Sequence, residues 1–172
     1  RAGGAAPTHP ALASAAFLSA ASYLPSRCTD PFVTANVWTN LAQAALDDGR
    51  AAEARAWLDR ARSSDVARGS LLVPWWLDLE GRIALAGGHA AEAARSFARE
   101  AEQGRATLSA AITWRGTLGR AEALEALGRT SEAIGAYREA EELLDTRSLR
   151  IPLGEGRAVF LTDRERSARL LI

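Results

Sequence analysis

Residues 128–144 read GRTSEAIGAYREAEELL, and the same skeleton, Gly-Arg/His-x-x-Glu-Ala, stands twice earlier in the chain, as GRAAEARAWLDRA over 49–61 and GHAAEAARSFAREA over 88–101. The three opening glycines, Gly49, Gly88 and Gly128, are 39 and 40 residues apart. Self-similarity at a steady period of roughly 20–50 residues is the mark of an array built from one supersecondary unit. Behind each Gly, apolar residues fall at helical spacing: Ala54, Trp57, Leu58 and Ala61; then Ala93, Phe97, Ala98 and Ala101; then Ala133, Ile134, Tyr137, Ala140 and Leu144. A second helical stretch precedes each Gly, over about 32–47, 74–86 and 108–127. Each unit therefore reads as helix, tight turn, helix.

The residue types at the turn have physical reasons. The position just past a helix end often adopts a left-handed backbone, which costs any residue with a side chain about 1 kcal/mol or more, so Gly is expected there. Glu53, Glu92 and Glu132 follow in the first turn of the second helix, where a negative charge meets the positive end of the helix dipole. Ala54, Ala93 and Ala133 come next and mark where the two helices are expected to press closest, whereas Ala90 is read as exposed.

Composition narrows the fold class to all-α. Hydrophobic residues make up 48% of the 172 residues, enough for a folded chain. Alanine dominates that fraction, and the strand formers Val, Ile and Tyr are sparse. The 21 basic residues, all Arg, balance 21 acidic ones, which argues against a general nucleic-acid or anionic-membrane surface. The apolar stretch ALASAAFLSAASYL over 11–24 lacks the basic flank of a signal peptide and is too short to span a bilayer. A single cysteine, Cys28, permits no internal disulfide, so a reducing, cytoplasmic setting is expected. The absence of Met and the ending SARLLI, inside an apolar helical pattern, suggest a segment of a longer chain.

At these residues the chain resembles the tetratricopeptide repeat family, antiparallel helix pairs stacked into a superhelix. Trp38, Leu41, Ala45, Gly49, Ala54, Leu58 and Ala61 occupy the family's signature positions in the first unit. Leu77, Gly81, Ala84, Gly88, Ala93 and Phe97 do so in the second, with Glu80 and Glu100 departing. Ala121, Leu124, Gly128, Ala133, Tyr137 and Ala140 do so in the third, with Thr117 and Arg120 departing. The family's usual period is about 34, so each unit carries about five extra residues. The resemblance implies an α-solenoid with three hairpins over 32–145. A lead-in with one helix covers 1–31, and a loop bearing Pro152, Gly154 and Gly156 opens 146–172, where Thr162 and Asp163 offer a cap for the start of a further repeat helix.

The resemblance also implies a function, protein–protein interaction. In this family the first helix of each unit lines the concave face that holds partner segments. Carried over residue by residue, that face comprises Asn36, Thr39, Asn40 and Gln43, then Trp75, Asp78 and Arg82, then Arg115 and Glu122. The implied occupant is a protein or peptide, or another domain of the same chain. The alternative is a regulatory or spacer arm of a larger enzyme: PLGEGRAVFLTDRERSARLL, residues 152–171, resembles segments of bacterial tetratricopeptide arrays that precede a caspase-like CHAT protease domain.

No catalytic constellation stands out, and neither a cofactor nor a metal site nor enzyme activity is expected of this segment. His9 and His89 lack partners at ligand spacing, and His89 stands where Arg50 and Arg129 stand in the sister units, as a turn residue. The Gly154-Glu155-Gly156 triplet lacks the third Gly and preceding strand of a dinucleotide loop. Trp38 and Trp57 read as core. Trp75 and Trp76 are adjacent and point about 100° apart on a helix, so one lines the groove or both bridge neighbouring surfaces.

Overall fold

Asp30 opens the first helix: its Oδ1 accepts hydrogen bonds from the backbone N–H groups of Phe32 (2.8 Å) and Val33 (3.4 Å), and Pro31 takes the first helical position, where a missing N–H loses nothing. The computed structural model describes residues 30–64 and 71–148, and among them every regular element is a helix. In order they are α1 (Pro31–Asp47), α2 (Ala51–Arg62), α3 (Val73–Ala86), α4 (Ala90–Ala106), α5 (Ala110–Ala126) and α6 (Thr130–Ser148). The readings at His9, 11–24, Cys28, 152–156 and 162–172 lie outside the described residues. None of the described helices is long and apolar enough to cross a membrane.

The chain divides into two compact units at Gly87/Gly88, inside the second of the three hairpins read from the sequence. In the first, α1 and α2 close over a seam of Ala35, Ala42 and Ala45 against Ala54, Leu58 and Ala61. Leu72, Trp76, Leu79 and Ile83 complete this core from α3 and its entry, and Trp38 and Trp57 pack against it half-buried. Trp57 also donates its indole N–H to Glu53 (3.2 Å) and lies under the Arg60 guanidinium, 4.8 Å from the ring centroid. The Trp76 indole N–H donates to Thr39 Oγ1 at 2.8 Å, and the Thr39 hydroxyl donates to the Ala35 carbonyl at 2.7 Å. A buried hydroxyl thus satisfies an indole that otherwise lacks solvent. Glu80, at one of the positions that depart from the repeat pattern, ties α3 to α2 through Arg62 at 2.9 Å.

In the second unit α5 and α6 pack around Trp114, Leu118, Leu124, Tyr137 and Leu144, and α4 packs on α5. The α4–α5 seam is closed by glycines. A Cβ on Gly116 would stand 2.8 Å from the Phe97 carbonyl oxygen, and one on Gly119 would stand 2.5 Å from Phe97 Cδ1. The backbone of α5 therefore touches α4 directly, and Phe97 fills the space the missing side chains leave. Arg115 of α5 donates through Nε to Glu100 of α4 at 2.5 Å, and Tyr137 of α6 donates its hydroxyl to Glu125 of α5 at 2.6 Å. Glu100, the other departure from the expected pattern, is a buried acid with an ion partner.

The turns follow the expected chemistry. Gly49, Gly88 and Gly128 have φ of 76°, 76° and 72°. Around Gly49 the Arg50 N–H reaches the Ala45 carbonyl (2.8 Å) and the Gly49 N–H reaches Leu46 (2.9 Å), the paired bonds of a Schellman motif. The pair recurs at Arg129 to Leu124 and Gly128 to Glu125. A further copy joins α4 to α5, where Ser109 reaches Gly104 (2.8 Å), but the left-handed position is held by Leu108, at φ 55°. That turn is why α5 begins at Ala110 rather than near 108.

Two assignments are corrected. Ile134, placed on the buried stripe, is 41% exposed; Ala136 is buried in its stead, because Ala133, Ala136, Tyr137, Ala140 and Leu144 share the face turned to α5. Ala90 is buried, since it precedes Ala93 by three residues and Phe97 by seven and lies on their face. Ala54, Ala93 and Ala133 are buried as expected, and the glycine seam between α4 and α5 joins helices that the sequence reading put in different hairpins.

Candidate partner-binding site

The first unit carries a depression of about 270 Å³ between α1 and α3. One wall is polar, made of Asn36, Thr39, Asn40 and Gln43 on α1; successive members lie three or four residues apart, which keeps them on one helix face. The other wall is apolar, made of Leu72, Trp75 and Leu79. Trp75 and Trp76 divide their roles as the angle between adjacent helical residues requires. Trp76 is 8% exposed and belongs to the core, whereas Trp75 is 52% exposed and stands over the depression.

The amides differ in how much bonding capacity they have left. Asn40 Nδ2 donates to the Asn36 backbone carbonyl at 3.0 Å and to Asn36 Oδ1 at 3.4 Å. Asn40 Oδ1 and Asn36 Nδ2 then have no protein partner among the described residues, so the wall offers one acceptor and one donor to a ligand. Gln43 is committed on both sides: its Nε2 donates to Asp47 Oδ1 at 2.6 Å and its Oε1 accepts from Arg82 Nη1 at 2.7 Å. Arg82 in turn reaches Asp47 (3.0 Å) and buried Asp78 (3.6 Å). Asp78, Arg82, Gln43 and Asp47 thus form a braced border from α1 to α3, and it holds the Gln43 end of the polar wall in place.

Seven of the residues chosen from the sequence, Asn36, Thr39, Asn40, Gln43, Trp75, Asp78 and Arg82, come together here. Arg115 and Glu122 lie on α5 in the second unit, Arg115 engaged by Glu100 and Glu122 partly buried. Leu72 and Leu79 were missed. Leu79 lies four residues beyond Trp75, a same-face spacing that could have found it, whereas Leu72 lies just before α3 and carries no such signal.

The N-terminal turns of α2 and α6 share one electrostatic device. Arg50 bonds Glu53, and Arg129 grips Glu132 with Nε and Nη2, both at 2.7 Å. The Arg50 bond, seconded by the Trp57 indole, holds the Glu53 carboxyl below the usual range, and the Arg129 bonds do the same for Glu132. Among the described residues no three His, Cys, Asp or Glu side chains gather as a metal site would need. The chain matches no family model, no curated protein and no solved structure.

Proposed function

We propose that the chain is a tetratricopeptide-like array of helical hairpins that acts, without catalysis, by holding a segment of a partner protein in the depression between α1 and α3. The observation that carries this reading is the placement of half-exposed Trp75 opposite Asn36 and Asn40, with an amide acceptor and an amide donor open between them. An extended peptide presents that same alternation of N–H and C=O, so the Asn pair meets its backbone while Trp75 and Leu79 take an apolar side chain. The bracing of Gln43 by Arg82 and Asp47 supports the reading further, because a wall already ordered loses little entropy when the segment docks.

A peptide-display selection against the full chain tests it. Selected peptides are expected to lose about tenfold in affinity for the variant carrying Asn36→Ala and Asn40→Ala, the scale of one or two lost hydrogen bonds. Peptides that bind this variant as well as the original chain would remove the depression as the docking site.

A further inference from the structure

We infer that the second unit carries a separate site, one that takes the carboxylates of an acidic peptide. It is a depression of about 280 Å³ formed by α4, the end of α5 and the turn into α6. Ala91, Ala94 and Ala98 of α4, Leu124 of α5 and Leu127 just past its end supply apolar surface, and Arg95, Arg120 and Arg129 supply the charge. No acidic side chain lines it among the described residues.

Arg50, Arg62, Arg82, Arg105 and Arg115 each hold a carboxylate within 3.4 Å. Arg95 and Arg120 make no ion pair among the described residues, although they face the same small volume. Arg60, Arg99 and Arg138 also make no ion pair among the described residues, but here three arginines line one depression. Arg129 binds Glu132 through Nε and Nη2, which leaves Nη1 without a partner among the described residues. Glu132 also feels the field of Arg120, so one exposed carboxylate stands against three guanidinium groups. Such a concentration of like charge repels itself until an anion enters.

The chemistry of the surroundings selects the anion. A guanidinium fork matches a carboxylate in bidentate fashion, and the Ala and Leu surface suits the aliphatic stems and apolar neighbours of Glu in a peptide. A phosphate backbone would leave that surface unused, and a chain with 21 acidic against 21 basic residues lacks the extended positive field that nucleic acids require.

Fluorescence anisotropy of the full chain with a labelled peptide alternating Glu and Leu tests the inference, beside a control peptide with Gln in place of Glu. Binding of the Glu peptide is expected to weaken with added salt and to fall at least about tenfold in the variant Arg95→Gln with Arg120→Gln, the low end for the loss of a single charge-assisted bond. It should persist in Arg105→Ala, and in the Asn36→Ala/Asn40→Ala variant of the first unit. The far-ultraviolet circular dichroism of the double Arg variant should match the original, because neither Arg95 nor Arg120 is buried and Gln keeps two of the three methylenes of each stem. Equal binding of the Gln peptide, or an undiminished affinity in the double Arg variant, would overturn the site. A single-stranded oligonucleotide that bound more tightly than the Glu peptide with the same Arg dependence would overturn the peptide as its occupant.

Discussion

Arg115 on α5 reaches across to α4 and donates to Glu100, an acid that is 0% exposed. Removing one partner of a buried pair strands the other charge, so Arg115→Ala should destabilise the fold by about 3 kcal/mol, far more than an ordinary surface Arg. The apolar pair Glu100→Leu with Arg115→Met should recover most of that loss. Urea denaturation of the three variants checks both statements. For the same reason, loss of binding in an Arg115 variant says nothing of a groove.

The seam beside that ion pair makes a second prediction. Gly116→Ala drives a methyl group into the α4 backbone and should cost about 1–3 kcal/mol, the range of overpacking. Gly135→Ala meets nothing within 4 Å on α6 and should stabilise by about 0.5–1 kcal/mol, the helix-propensity difference. Opposite shifts in thermal midpoint are expected; equal shifts would mean that α5 does not touch α4 through Gly116.

Leu108 holds a left-handed conformation at φ 55° while its side chain is 93% exposed, so strain there is not offset by burial. Leu108→Gly should raise stability by about 1 kcal/mol, measured by chemical denaturation. A destabilised variant would mean that the Leu side chain makes a contact worth more than the strain.

Much of this was legible in the sequence, for reasons that also mark where legibility stops. Gly49, Gly88 and Gly128 showed themselves because the left-handed turn excludes most other residues. Leu108 closes an equivalent turn in a residue that gives no such signal. The helices α1 and α3 start within about one residue of expectation because an amphipathic period announces them. Gly116 and Gly119 carry no signal in the local pattern, since their purpose is set by Phe97 from another helix. Glu100 interrupted the apolar pattern, and only the fold brings Arg115 to it. Local pattern likewise fixed that Trp75 and Trp76 diverge, while tertiary packing decided which one Thr39 would hold.

The Arg–Glu pairs at the helix starts give a pH prediction. The Glu132 carboxyl is held below the usual carboxylate range because Arg129 bonds its ionised form. A depressed folded-state value favours the fold above the unfolded-state value, and that contribution is lost as pH falls through the folded-state value. In Arg129→Ala the Glu132 titration should move up, read by the carboxyl carbon shift in NMR. An unchanged titration would show that the pair does not form in solution.

The central claim, that the α1–α3 depression docks a partner segment, is tested most directly by heteronuclear NMR of the isotope-labelled chain titrated with a peptide selected on it. The side-chain amide signals of Asn36 and Asn40 and the indole N–H of Trp75 should shift together and saturate at one affinity, while the indole N–H of Trp76, held by Thr39, stays in place. Saturation by the peptide with the Asn36, Asn40 and Trp75 signals unmoved would contradict the account.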